Sequence, residues 1–309
     1  MKAIVINGYG DAGVLKYEEA AKPIPSDNEV LIRVKATALN PLDSKIRSGH
    51  LQAVMPISFP FVPGWEAAGV IEATGKNVTS LKAGDEVYTR TNFRKAGGYA
   101  EYMTVDEKEV ALKPKSLSFV ESAAMPLVAG AAYAILFKAA KINKDQRIFI
   151  LGAAGSVGLF AVQLAKLAGA YVIGTATGND IAILHSLGVN EVIDYNKADY
   201  SDEVSNVDFA LDLAGGPDYE NLWKTLKKGG TLLSTTMQPS PGTAKEYGVN
   251  ASQVITETDK AALEEIAAWA DQAKLTPRVG KVFPLSEAAA AHQLMDERSI
   301  SGKIILTVD

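Results

Sequence analysis

Cysteine is absent from the chain, which excludes disulfides, thiolate zinc sites, iron–sulfur clusters and thiol nucleophiles together. Histidine is scarce: His50, His185 and His292 are the three present, and no two stand at the spacing of a helical metal pair. His185 and His292 fall in helical patterns, where a surface role is expected rather than metal ligation. No apolar run approaches the 18 residues of a membrane span, and MKAIVI at the start leads straight into a strand pattern without a secretory or Arg-rich leader. A basic cluster is missing too, and the formal net charge is −5. Such a surface does not attract nucleic acid or an anionic membrane. A cytoplasmic protein acting on small molecules is the expectation.

What is present is apolar bulk: 47% of 309 residues are hydrophobic, enough for two globular units. Up to about Pro114 the chain runs in short alternating segments, such as EVLIRVKA at 29–36 and 69–74, punctuated by Pro and Gly. This pattern suits an irregular β domain. From Ser118 the texture changes. A helical stretch at 120–141 leads into short apolar strands at 147–151, 171–175, 191–193, 208–212, 231–234 and 252–255, alternating with helices. That alternation predicts an α/β fold with a doubly wound parallel sheet. Helices at 260–273 and 286–297 precede a final strand at 303–308, which is expected to return to the first domain. The division predicted is 119–256 for the sheet domain and 1–118 with 257–309 for the other.

The most informative stretch is RIFILGAAGSVGLFAVQLAKLA at 147–168. An apolar strand enters a glycine-rich turn and continues directly into an amphipathic helix. Gly155 and Gly158 let the backbone approach a pyrophosphate, while the first helical N–H groups and the helix dipole face its charge. With strand before and helix after, the turn predicts a dinucleotide site.

Several further segments complete a pattern: ALNPLDSKIRSG at 38–49, FPFVPGWEAAGVI at 59–71, LKAGDEVY at 81–88, GGYAEY at 97–102, LGVNEVIDY at 187–195, LKKGGTLL at 226–233 and SGKIIL at 301–306. In order and spacing the chain resembles the zinc-free quinone oxidoreductase branch of the medium-chain dehydrogenase/reductase superfamily. The resemblance implies a Rossmann doubly wound sheet beside a GroES-like irregular β substrate domain, with the substrate held in a cleft. It places the catalytic zinc ligands of the superfamily's alcohol dehydrogenases at Asn40 to Asp43 and at Trp65. Glu66 persists, but one carboxylate does not hold a four-coordinate ion. Without a Lewis acid, hydride delivery to an electrophilic quinone or α,β-unsaturated carbonyl is favoured over alcohol oxidation.

The same resemblance assigns the cofactor site. Its three glycine positions are Ala153, Gly155 and Gly158, with Ala154, Ser156 and Val157 between them. No carboxylate follows the second strand before Asp180, so Thr177 and Asn179 leave room for a 2′-phosphate, Tyr195 matches a tyrosine that contacts it, and NADPH is the expected cofactor. Ala214 and Gly215, then Ser234, Thr235 and Thr236, lie at the ends of the fourth and fifth strands on the nicotinamide side. Lys303 matches a pyrophosphate-binding arginine, or is simply solvated. For catalysis, Asn40 is expected to orient the acceptor. Asp43 either takes part or only holds its turn, and Lys45 either supplies the proton or points to solvent. Met55, Ile57, Phe59, Phe61, Tyr88 and Phe93 form a candidate apolar wall. A homodimer paired through the sixth strand is expected. Two other readings stay open: an enoyl-thioester reductase and a non-catalytic NADPH-binding protein.

Overall fold

A computed structural model of the chain describes residues 1–93, 95–297 and 300–308. Its contacts divide the chain into two units, Met1–Leu127 with Thr258–Asp309, and Val128–Glu257.

In the first unit β1 (Lys2–Val5) and β2 (Lys16–Glu19) form an antiparallel pair. Then come β3 (Glu29–Ala38), α1 (Pro41–Arg47), β4 (Glu66–Thr74), β5 (Glu86–Arg90), β6 (Tyr102–Asp106), β7 (Val110–Leu112) and α2 (Phe119–Ala123). β3 is the spine of the sheet, paired antiparallel with β4 and β6. Its Val30, Ile32 and Val34 join Ile4, Ile71, Val87 and Met103 in one core. α1 starts where the sequence dictates: Pro41 stands in the first turn, and the Asp43 carboxylate accepts the Asn40 N–H at 2.8 Å.

The helix expected over 120–141 is three pieces. A Ser118/Glu121 capping box opens α2, α3 (Pro126–Tyr133) begins afresh, and a π-helical segment, Ala134–Ala139, follows. Pro126 lacks an N–H and its ring would strike the preceding turn, so it starts a helix rather than continuing one. α2 packs on β3 and β4, which is why the first unit extends to 127 rather than to 118.

The second unit holds β8 (Arg147–Leu151), α4 (Ser156–Leu167), β9 (Tyr171–Ala176), α5 (Asp180–Ser186), β10 (Glu191–Asp194), α6 (Tyr200–Glu203), β11 (Val207–Asp212), α7 (Leu222–Thr225), β12 (Leu226–Ser234), α8 (Pro241–Tyr247) and β13 (Asn250–Gln253). All six strands are parallel, in the order β10-β9-β8-β11-β12-β13. That order reverses direction between β8 and β11, the switch point outside whose carboxyl ends ligands bind in such sheets. β8 and β11 are buried along most of their length, as strands covered on both faces must be. The sixth strand lies two residues earlier than the 252–255 expected. Gly248, at φ 67°, closes α8 in the left-handed conformation that glycine tolerates, so pairing begins at Asn250 and Ile255 is left exposed.

The chain then supplies α9 (Lys260–Asp271), β14 (Val279–Pro284), α10 (Ala288–Asp296) and β15 (Lys303–Thr307) to the first unit. β15 inserts between β14 and β3, giving the order β14-β15-β3-β4-β5-β7 with β6 also on β3. No helix among the described residues is long and apolar enough to cross a membrane.

Candidate functional site

The turn from β8 into α4 is built around its glycines. A Cβ on Gly158 would lie 2.2 Å from the Gly152 carbonyl oxygen and 2.5 Å from that of Ala153, so only glycine lets the helix come this close to the strand. Ala153, at the first of the three expected glycine positions, is buried against β9, where a Cβ on Gly174 would lie 2.7 Å from that of Ala153. Glycine on the neighbouring strand thus makes room for alanine in the turn. Gly152 has φ 85° and donates its N–H to Thr175 Oγ1 at 3.0 Å, tying the turn to β9. Gly155 is the N-cap of α4 and has no side chain to cap it, and no acidic residue stands in the first turn. The N–H groups of Ser156, Val157 and Gly158 therefore face outward with the positive end of the dipole behind them. The arrangement fits a pyrophosphate.

At the carboxyl ends of β9 and β10, Thr177 Oγ1 accepts from Asn196 Nδ2 at 2.7 Å, and the exposed Tyr195 donates its N–H to Ala176 O. Asn179 is the N-cap position of α5 without a side-chain capping bond. One carboxylate that linear reading missed is here: Asp194, held below its usual range by the Asn196 N–H, Lys197 and Thr177 against a desolvation that would raise it. Lys197 Nζ pairs with it at 3.2 Å and is largely exposed. Lys197 follows Tyr195 by two residues, in the turn that leaves β10.

Ala214, Gly215, Ser234 and Thr235 are brought together by a residue the sequence did not single out. Asp212 is fully buried at the end of β11. Its Oδ1 accepts from the N–H groups of Ala214 and Gly215, its Oδ2 from the hydroxyls of Ser234 and Thr236, and its backbone carbonyl from Thr235 N–H.

In the first unit Asn40, Asp43 and Lys303 converge, and Lys45 does not: it is exposed on α1. Two expectations are corrected. Lys303 is 4% exposed, and Nζ donates to Leu39 O at 2.7 Å, Asn40 Oδ1 at 2.6 Å and Glu66 Oε1 at 2.8 Å. An ammonium group has three protons, and all are taken. It is neither a solvated lysine nor free for a pyrophosphate. Asn40 likewise has no free end: Oδ1 faces Lys303, and Nδ2 donates to Glu66 Oε1 at 2.8 Å. It is part of the cage around Lys303 and Glu66.

Asp43 is different. Buried to 1%, it accepts from Asn40 N–H and from Tyr99 OH on Oδ2, while Oδ1 makes no hydrogen bond. Burial pushes its carboxyl up to about 7, against the hydrogen bonds from Tyr99 and Asn40 and the charge of Lys303. Behind Tyr99 stands His292, which is fully buried rather than on the surface as its helical pattern suggested. Arg47 Nη1 lies 2.9 Å from His292 Nδ1, and a guanidinium only donates, so Nδ1 accepts and the imidazole proton sits on Nε2, 3.3 Å from Tyr99 OH. Burial and the Arg47 charge push His292 down to about 3, keeping it neutral. Polarity is therefore fixed along the chain Arg47, His292, Tyr99, Asp43, each donating to the next. Arg47 also pairs with Asp296 at 2.8 Å.

The donor set does not fit a catalytic zinc. Both Glu66 oxygens are occupied, Oε1 by Lys303 and Asn40 and Oε2 by Leu127 N–H. Asn40 and Trp65 offer neither thiolate nor imidazole, and no three His, Cys, Asp or Glu side chains among the described residues converge as a metal site. Of the apolar wall, Tyr88 is core: it is fully buried and donates to Leu263 O. Phe61 and Ile57 pack on the first unit's core. Phe59, partly exposed, meets Tyr9 edge-on at 5.0 Å.

Comparison with known proteins agrees with this construction. The alcohol dehydrogenase GroES-like domain family matches residues 26–115, and the zinc-binding dehydrogenase family matches 187–306. The chain is 33% identical to the 2-methylene-furan-3-one reductase of Solanum lycopersicum over 99% of its own length and 79% of that protein's. It is 31% identical to the quinone oxidoreductase of Sus scrofa over 99% and 97%. Its fold superimposes on the Escherichia coli quinone oxidoreductase complexed with NADPH with a TM-score of 0.90, at 26% identity and full coverage of both chains. With its irregular β unit, its 3-2-1-4-5-6 parallel sheet and relatives along its whole length, the chain belongs to the quinone oxidoreductase-like branch of the medium-chain dehydrogenase/reductase superfamily.

Proposed function

We propose that the protein is an NADPH-dependent reductase of quinones or α,β-unsaturated carbonyls that works without zinc. The observation that carries this reading is the turn at 152–158, whose steric need for Gly158 and uncapped helix N-terminus suit a dinucleotide pyrophosphate. The two sequence relatives, a 2-methylene-furan-3-one reductase and a quinone oxidoreductase, suggest the acceptor class. A nicotinamide bound on this sheet supplies hydride.

The chain's own residues do the rest. The N–H groups of Ser156, Val157 and Gly158 hold the phosphates. Thr177, Asn179, Tyr195 and Lys197 receive the 2′-phosphate, with Lys197 contributing the cation. Ala214, Gly215, Ser234 and Thr235 flank the nicotinamide. Reduction places negative charge on the acceptor oxygen or its conjugated carbon, which a proton must then neutralise. Asp43 is the proton source in this reading. It titrates near neutrality, its Oδ2 is held by Tyr99, and its Oδ1 is free to carry the proton. Lys45, exposed on α1, is not needed for it. β13, an edge strand of the sheet, is the proposed pairing edge of a homodimer.

Loss of the reduced-nicotinamide absorbance, followed with NADPH and NADH against quinones, linear enones and enoyl thioesters, tests the reading. Turnover of quinones or enones with NADPH preferred is expected. Turnover of enoyl thioesters alone, or of nothing, would overturn it.

A further inference from the structure

The buried carboxylate of Asp212 does more than close a loop. Oδ1 accepts Ala214 N–H at 3.1 Å and Gly215 N–H at 2.7 Å, and Oδ2 accepts Ser234 Oγ at 2.7 Å and Thr236 Oγ1 at 2.5 Å. A carboxylate only accepts, so both hydroxyl protons must point inward to it. Ser234 is thereby complete, because its oxygen also accepts the N–H groups of Thr236 and Met237, each at 3.1 Å. The 3.1 Å contact between the two hydroxyl oxygens holds no proton, since both are committed to Asp212.

Thr236 differs from Ser234 in one respect: it is exposed. With its proton turned inward, its hydroxyl has only lone pairs left to offer a ligand. The location is specific. A Cβ on Gly215 would lie 3.2 Å from Thr236 Oγ1, and one on Gly152, in the phosphate turn, 3.2 Å from Ala214 Cβ. Thr236 thus stands on the loops packed beside that turn, at the carboxyl ends of β11 and β12, where ligands of doubly wound sheets lie.

We propose that Asp212 is a positioning residue that makes the Thr236 hydroxyl an obligate hydrogen-bond acceptor for the carboxamide N–H of a bound nicotinamide, and so selects how the ring is turned. The inference rests on the cofactor reading above. A ring rotated by half a turn about its glycosidic bond would offer its carboxamide elsewhere, so one hydroxyl proton, fixed from below by a buried charge, decides the face that the cofactor shows to an acceptor.

The test compares binding of NADP⁺ with that of its 3-acetylpyridine analogue, which keeps the carbonyl but replaces the amide NH₂ by a methyl group. Affinities are read by quenching of tryptophan fluorescence, without turnover. Wild type is expected to prefer NADP⁺ by about 5-fold, the worth of one neutral hydrogen bond. Thr236→Val should bring the two ligands to parity, and Thr236→Ser should keep the preference. Asp212→Asn donates from its amide to a hydroxyl, turns the Thr236 proton outward and should also abolish the preference. A loop that is merely structural would weaken both ligands by the same factor in these variants, and that result overturns the proposal. So does a preference that survives Thr236→Val, the variant that leaves the buried carboxylate in place should Asp212→Asn fail to fold. Tight NADP⁺ binding without discrimination in wild type sinks this inference alone, whereas no binding of either ligand sinks the cofactor reading with it.

Discussion

Replacing Asp43 by asparagine should change how stability depends on pH, and by an amount the structure sets. The carboxyl titrates at about 7 in the folded chain against an ordinary value of 3.8. The raised value means that the folded form binds the proton more tightly than the unfolded form. Between the two values the folded state carries the extra proton, so raising the pH through this window removes stability, at about 1.4 kcal/mol per unit from this group. The loss is complete once the pH passes 7. From about pH 5 to about pH 8 the share of Asp43 is about 3 kcal/mol. Asn in its place keeps an oxygen for the Asn40 N–H and the Tyr99 hydroxyl and never ionises, so this share vanishes. Denaturant unfolding of wild type and Asp43→Asn across that range is the assay. The two should lie close at the acid end, and the variant should gain on wild type as pH rises, ending the more stable of the pair at about pH 8. A difference between the two that stays constant with pH would refute the reasoning, because it would show Asp43 ionised throughout.

Two further outcomes follow from the geometry. Lys303→Met strips the cation from the fully buried Glu66, and breaking such a pair costs about 3–5 kcal/mol; thermal unfolding should show the loss while NADPH affinity of the folded fraction stays the same, and the opposite pattern would return Lys303 to the pyrophosphate. Lys197→Ala should weaken NADPH about tenfold at low salt and leave NADH unchanged, since an exposed cation acts on the 2′-phosphate through a screened field; equal effects on both cofactors in fluorescence titration would remove Lys197 from the phosphate site.

How much was legible in advance depended on whether a residue's role is local. The strands 147–151 and 208–212 and the glycine turn announce themselves in runs of apolar residues and in the Gly155 and Gly158 spacing, because neighbours in sequence make those structures. The fresh start of α3 at Pro126 and the shift of β13 were hidden, since what Pro126 and Gly248 do there depends on the tertiary frame. Charged and polar groups were hardest. Glu66 and Lys303 are separated by 237 residues, and His292 meets Tyr99 from a helix whose pattern reads as surface. Nothing local tells a buried lysine from a solvated one. The DLAGG run at 212–216 and the STT run at 234–236 each suggested loop ends, and only the parallel pairing of β11 with β12 puts the hydroxyls of one onto the carboxylate of the other.

The placement of β15 sets an order of events during synthesis. Residues 36–38 of β3 pair with a strand made near the C-terminal end of the chain, whereas every strand of the second unit lies within one continuous segment. At about 5–20 residues per second, roughly 10–50 s separate the emergence of Glu66 from that of Lys303. Throughout that interval β3 offers an open edge, the feature by which strands of different chains join, and Glu66 awaits its counter-charge. The inserted unit can close while the outer one is still incomplete. A nascent molecule can therefore hold one finished sheet while the other waits for its last strand.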